Sequence, residues 1–215
     1  MCGMKLIRTK YDKSYSENIL YREIRDSQRN RTRLAEVIKH KRGGRLLEVG
    51  CSRGGFLRMA LKHFDAEGID ISRHVVDTLR PALGCRVQAL NIESADLPPD
   101  RYDVIAAFNV FEHLRNPRSV VEKAYASLKE DGILIGSVPN KRGPVGSVVT
   151  ALGNLMDRTH CATYSPDRWA RLFRQARFAE IALFGEVNLG KNLCLYVKHS
   201  LWRYVSTNLM FVCVK

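Results

Sequence analysis

Apolar residues along this chain change their spacing at regular intervals, and the changes divide it into alternating helices and strands. Between residues 16 and 42, Ile19, Leu20, Ile24, Leu34, Val37 and Ile38 recur at helical spacing, with a polar gap from Arg25 to Arg33. Gly43-Gly44 ends that helix. Arg45–Val49 is a short apolar strand, and Phe56, Leu57, Met59, Ala60 and Leu61 mark a helix over 55–63. A strand over 66–71, a helix over 73–79 and a strand over 86–90 follow. Tyr102–Phe108 is largely apolar, as expected of a strand covered on both faces. Residues 118–128 form an amphipathic helix and 132–138 a buried strand. Strands separated by single helices imply βαβ units, a mostly parallel sheet and right-handed crossovers.

After Pro139 the rhythm breaks. Gly143-Pro144, Gly146 and Gly153 predict a loop over 140–164 with one short helix. Ser165 is a good N-cap and Pro166 suits the first helical position, so a helix runs from there to about Ala176. Residues 178–184 and 209–214 predict a final strand pair. Between them, Leu193, Leu195, Tyr196, Val197, Leu201 and Trp202 fit a further strand, a helix or irregular packing equally well.

The chain has 215 residues, 45% of them hydrophobic, which suits one well-buried α/β domain. Its apolar runs are strand-sized, well short of the roughly 20 residues of a membrane helix. No apolar stretch follows Met1-Cys2-Gly3-Met4-Lys5, so a cytoplasmic protein without a membrane span is expected. The six cysteines are scattered with no zinc-like spacing to histidine, so neither a disulfide scaffold nor a metal site is expected.

The formal charge of +13 changes the picture at the N-terminus. A basic helical segment, residues 1–44, precedes a domain over 45–215. Such a segment serves nucleic acid, an anionic membrane surface or an anionic substrate, or is simply a solvated helix face. Aromatic residues are not interleaved as a single-strand binder needs, so charge allows nucleic acid without favouring it.

The candidate chemistry begins at Leu46–Gly55, a strand, a glycine-bearing turn and a helix that suit a nucleotide-like ligand. Ser52 stands where a dinucleotide fingerprint needs its second glycine, and a NAD reading leaves Glu48 unexplained. Asp70 ends the next strand, where its carboxylate either takes a ribose diol or caps the helix after Ser72. Asn91-Ile92-Glu93 and Asn109–Leu114 follow the third and fourth strands, at the carboxyl ends where open α/β sheets bind ligands.

Taken in order, Glu48-x-Gly50-Cys51-x-x-Gly54, Gly68-Ile69-Asp70-Ile71-Ser72, Asn109-Val110-Phe111-Glu112-His113-Leu114 and Leu128-Lys129-x-x-Gly132 resemble the motifs of class I S-adenosylmethionine-dependent methyltransferases. Within that family the chain is similar to small bacterial ubiquinone-biosynthesis-type O-methyltransferases. The resemblance covers roughly residues 43–140, with a weaker echo through His160 and Thr163–Pro166 to Ala176-Arg177-Phe178. Ser52 and Arg177 each stand where the family has glycine.

The resemblance implies a Rossmann-like three-layer α/β sandwich, with a mostly parallel seven-stranded sheet and an antiparallel last strand. It implies S-adenosyl-L-methionine as methyl donor and S-adenosyl-L-homocysteine as product. Gly50, Cys51, Ser52 and Gly54 would line the methionine part and Glu48 would reach its ammonium. Asp70 would hold the ribose, and Ile71 would pack on the adenine. Asn91, Ile92 and Glu93 would flank the adenine edge, and Asn109 and Val110 would pass the sulfonium. Cys51 also reads as a small buried spacer, and Ile71 and Ile92 as ordinary core. Arg31 and Arg33 would either pair with the donor's carboxylate or lie on a solvated helix face.

A hydroxyl acceptor needs a base. His113 is the first candidate and His160 the second; alternatively His113 orients the next helix and His160 packs in a loop. The acceptor pocket is expected from 139–164, 187–204 and the N-terminal segment, whose aromatic and apolar residues favour a small, partly apolar molecule. The absence of Asn/Asp-Pro-Pro-Tyr after the fourth strand argues against amino methylation of bases. The competing readings are a methyltransferase acting on RNA or protein, a non-catalytic S-adenosylmethionine-binding protein and a NAD-dependent oxidoreductase.

Overall fold

The computed structural model describes residues 28–83, 86–156, 159–189 and 193–215. The first half alternates as the periodicity requires: α1 (Gln28–His40), β1 (Arg45–Val49), α2 (Gly55–Ala60), β2 (Asp65–Asp70), α3 (Arg73–Leu83), β3 (Val87–Ala89), β4 (Tyr102–Phe108), α4 (Pro117–Ser127) and β5 (Leu128–Pro139). The second half holds α5 (Gly143–Met156), α6 (Pro166–Gln175), β6 (Glu180–Leu189), β7 (Leu193–Val197), α7 (Trp202–Val205) and β8 (Asn208–Val214). Residues 16–27 of the expected first helix lie outside the described residues.

One sheet runs in the order β3-β2-β1-β4-β5-β8-β6-β7. β3 through β5 are parallel, and β8 enters antiparallel between β5 and β6. The chain winds outward from β1 to β3 and then returns to place β4 on the other side of β1. That reversal opens a crevice at the carboxyl ends of β1 and β4, where α/β sheets take their ligands.

The apolar run of β4 is explained by two cores. Ile105 and Ala107 face one, with Trp169, Phe173 and Phe211. Val104, Ala106 and Phe108 face the other, with Phe56, Val76 and, from α1, Leu34 and Val37. The fold is the expected Rossmann-like sandwich with helices on both faces. Among the described residues, no helix is long and apolar enough to cross a membrane.

Two features differ from expectation. The sheet has eight strands, not seven, because β7 adds an edge strand beside β6, paired from Gly185↔Val197 to Leu189↔Leu193. Cys194 is buried and Leu195 exposed, so β7 is covered on one face only. Its alternation is short and runs on into Leu201-Trp202, the N-cap and first residue of α7, so the period is blurred. The second difference is α5, 14 residues long where a loop with one short helix was expected. Pro144 lies in its first turn, where no N–H is needed. Gly146 is no breaker: a Cβ there would collide with the Asn140 carbonyl oxygen, so it permits a close backbone approach.

Candidate active site

The turn after β1 is built from backbone in the left-handed region. Gly50, Ser52 and Gly54 have φ of 73°, 44° and 71°. A Cβ on Gly50 would lie 2.5 Å from Val110 Cγ2, so this position needs glycine for space as well as for φ. The N–H groups of Gly50 and Cys51 both donate to the Ile69 carbonyl, at 2.8 and 3.0 Å, which joins the turn to β2. Cys51 is buried against Gly68, filling the gap between turn and strand. Glu48, near the carboxyl end of β1, is buried beneath the turn.

Asp70 ties the turn to the next crossover. Its Oδ2 accepts the Ser52 N–H at 2.9 Å and its Oδ1 the Ser72 N–H at 2.8 Å. Burial raises its pKa, against the lowering effect of those two bonds. Capping of α3 falls to Ser72, whose Oγ accepts the Val75 N–H at 3.4 Å. Ile71, next in sequence, is 39% exposed and presents apolar surface at the end of β2.

The loop after β3 is fixed by an Asx turn in which Asn91 Oδ1 accepts the Glu93 N–H at 3.0 Å. Ile92 is buried in the core. Glu93 Oε1 accepts the N–H groups of Arg115 and Asn116, each at 2.9 Å, and so braces the loop that follows β4. Lys123, which the sequence did not single out, donates to the carbonyls of Ile92, Glu93 and Ala95, at 3.4, 2.8 and 2.8 Å.

Past β4, Asn109 turns left-handed at φ 56°, a conformation asparagine tolerates. Its Oδ1 accepts from Ser137 Oγ at 2.8 Å and from Asn208 Nδ2 at 3.0 Å. Val110 packs over Gly50, and Phe111–His113 form one 3-10 turn. The Glu112 carbonyl accepts the N–H groups of Cys161 and Ala162, at 2.7 and 2.8 Å, bringing the segment before α6 onto this turn. His113 Nδ1 lies 2.7 Å from Thr159 Oγ1. The rings of His113 and His160 pack edge to face with centroids 4.8 Å apart. The structure thus brings together two histidines far apart in sequence. Ligand atoms of Glu112, His113 and His160 lie within 4.8 Å of one another. Spacing along the chain gave no sign of that cluster.

A second buried centre escaped the sequence reading. Glu186, on β6, is fully buried and accepts from Arg29 Nη2 at 2.6 Å and Arg33 Nε at 3.3 Å. Asn188 and Asn208 donate to it at 2.9 and 3.3 Å. Burial would raise the pKa of Glu186, but the Arg33 and Arg29 guanidiniums outweigh it and hold the carboxyl down at about 2. Arg33 also lies 4.4 Å over the Phe108 ring and donates to Ser137 Oγ at 3.1 Å. A continuous polar chain therefore runs from Glu186 through Arg33 and Ser137 to Asn109. Arg31 is exposed and bonds to Gln28 on its own helix.

The two positions where glycine is replaced keep glycine's backbone. Ser52 is one, and Arg177, at φ 74°, is the other. Arg177 follows the end of α6: its N–H reaches the Arg174 carbonyl at 3.0 Å, and the Phe178 N–H reaches Phe173 at 3.3 Å. This is the Schellman pattern, in which the left-handed residue is usually glycine.

A cofactor with an ammonium, a ribose diol and an adenine fits this crevice on three observations. The turn offers main chain without side chains at Gly50 and Gly54, a carboxylate ends β2, and Ile71 exposes apolar surface beside it.

A family model described as a methyltransferase domain matches residues 19–183. The ubiquinone biosynthesis O-methyltransferase of Photobacterium profundum is 30% identical over 129 residues, which are 52% of this chain and 52% of that protein. The chain thus spans about half the length of the curated relatives it matches. Among solved structures, a SAM-dependent methyltransferase from Archaeoglobus fulgidus is similar with a TM-score of 0.70 at 18% identity, covering 98% of this chain and 99% of that one. Phosphoethanolamine N-methyltransferase 2 of Haemonchus contortus, in complex with S-adenosyl-L-methionine, gives a TM-score of 0.72 at 14% identity, over 98% of this chain and 59% of that one. At these identities the solved structures speak for the fold.

Proposed function

The chain belongs to the methyltransferase-domain family, and from that premise we propose that it is an S-adenosylmethionine-dependent enzyme that methylates a hydroxyl group of a small, partly apolar acceptor. The observation that carries this reading is the His113–Thr159 contact, with His160 packed against the His113 ring, directly after the strand that passes the expected methyl position. The O-methyltransferase named among its relatives supports the same atom choice.

When bound, the cofactor supplies an electrophilic methyl group on a sulfonium. In this reading Gly50, Cys51, Ser52 and Gly54 would hold its methionine part, and Glu48 would serve its ammonium. Asp70 would accept from the ribose hydroxyls with the lone pairs its two backbone bonds leave, Ile71 would pack on the adenine, and Asn91, Ile92 and Glu93 would flank its edge. Asn109 and Val110 border the reacting centre, and the left-handed turn at Asn109 is held there by Ser137 and Asn208.

In-line displacement asks mainly for alignment, with a base for a hydroxyl nucleophile. In the tautomer whose Nδ1–H donates to Thr159 Oγ1, the basic lone pair of His113 is on Nε2, which would take the proton of the acceptor's hydroxyl. His160, packed against that ring, keeps it in place.

The test separates binding from chemistry. His113→Gln, His113→Ala and His160→Ala are titrated with S-adenosylmethionine and then assayed for methyl transfer to a panel of phenols and alcohols. Cofactor affinity is expected to stay within twofold or so, while turnover of the His113 variants falls about 10²–10⁴-fold. Full turnover in His113→Ala removes the base from the mechanism.

A further inference from the structure

We propose that a cleft between α4 and α6 is a binding site for the phosphoryl group of a small molecule. The cleft has a volume of about 380 Å³ and is lined by Arg115, Arg118, Arg168 and Arg171, with Asn116 and Tyr164 among their neighbours. No carboxylate lines it among the described residues. Of the four guanidiniums, Arg118 is paired with Glu122 at 2.8 Å. Arg115, Arg168 and Arg171 make no ion pair among the described residues. Asp167, beside Arg168 in sequence, is paired with Arg142 at 2.7 Å. Glu93, which touches the Arg115–Asn116 backbone, has its Oε1 bound to two N–H groups there.

Three unpaired guanidiniums around one concavity repel each other, and an anion between them turns that repulsion into attraction. Arginine forks match the oxygens of a phosphoryl group, and a dianion with three terminal oxygens can engage more than one fork at once. One arm is already ordered. The Arg168 guanidinium carbon lies 3.6 Å from the Tyr164 ring centroid, and Tyr164 itself packs on the buried Trp169 with centroids 5.2 Å apart. Stacking fixes the guanidinium plane and leaves its edge N–H groups for in-plane bonds, so less freedom is lost on binding. Asn116 caps α4 by accepting the Ser119 N–H at 3.3 Å, so the positive end of an 11-residue helix also borders the cleft. The small volume suits a compact molecule, whereas a polynucleotide would need a stripe of charge along its backbone. The lining begins two residues after His113 and resumes four residues after His160, yet the inference does not depend on the role of either histidine.

The direct test is calorimetric titration of the full chain with phenyl phosphate and with inorganic phosphate, at an ionic strength held constant with chloride. One saturable site is expected, tighter for phenyl phosphate, whose ring can pack on Tyr164 and Leu172. Arg168→Gln and Arg171→Gln should each weaken it roughly tenfold, the scale of one charge-assisted hydrogen bond. Arg168→Lys keeps the charge but not the planar fork, and should weaken it by a smaller factor; it also serves if the glutamine variants fold poorly. Lys62→Gln, an exposed residue outside the lining, should leave it unchanged. No saturable binding, or equal binding by the Arg168→Gln/Arg171→Gln double variant, overturns the proposal. So does a single-stranded RNA oligonucleotide that binds through these arginines when phenyl phosphate does not.

Discussion

Replacing Glu186 with glutamine is expected to cost this fold about 3 kcal/mol at pH 7, and the cost is expected to shrink in acid. The carboxylate is fully buried, and Arg33, its partner, is only 3% exposed, so neither charge has water to fall back on. The carboxyl lies at about 2 in the fold against an ordinary 4.5. At about 1.4 kcal/mol per pH unit, that drop contributes about 3 kcal/mol to stability. Removing one partner from a buried ion pair costs about 3–5 kcal/mol in general, which agrees. Because the folded pKa is depressed, the contribution is complete above pH 4.5 or so and is lost as pH falls towards 2. Urea unfolding of the wild type and Glu186→Gln, followed at pH 7, 5, 4 and 3, measures the gap directly. The variant should unfold at lower urea with an unchanged slope, and at pH 7 it should melt about 6–12 °C lower. A gap below about 1 kcal/mol at pH 7, or one that stays constant down to pH 3, would refute the reasoning.

Two further substitutions probe the backbone of the site and of its flank. Arg177→Gly should raise stability by about 1 kcal/mol, because glycine takes a φ of 74° at the end of α6 without the penalty an arginine bears; thermal melting reads it. Gly50→Ala combines a φ of 73° with a Cβ 2.5 Å from Val110 Cγ2, so it should displace Val110, lower the melting temperature and weaken cofactor binding at least tenfold, as a titration would show.

The parts of this molecule that could be read from the sequence are those with a local cause. The βαβ rhythm shows because β1 and β4 are apolar over consecutive residues, and their carboxyl ends fix where Glu48, Asp70 and Asn109 must converge. Ser165 and Pro166 predict the start of α6, and Ser165 Oγ does accept the Arg168 N–H, at 3.4 Å. What could not be read depends on pairs distant in sequence. Arg33 and Glu186 are 153 residues apart, and nothing around either signals the other. His113 meets His160 only because the Glu112 carbonyl holds the chain at Cys161 and Ala162. β7 is ambiguous in sequence because one covered face gives too short an alternation. α5 is longer than its glycines suggest because Gly146 reads as a breaker when its role is to admit the Asn140 carbonyl. Ser52 and Arg177 stand where the family has glycine, and the structure keeps the left-handed turn at both.

The central claim is that the crevice at the ends of β1, β2 and β4 holds S-adenosylmethionine through the Asp70 carboxylate. Equilibrium titration of the wild type and Asp70→Ala with S-adenosylmethionine, S-adenosylhomocysteine and NAD tests it most directly. The account predicts saturable binding of the first two by the wild type, a loss of at least about tenfold in Asp70→Ala, consistent with charge-assisted bonds to a diol, and no binding of NAD. Undiminished S-adenosylmethionine binding by a folded Asp70→Ala, or binding of NAD alone, would contradict it.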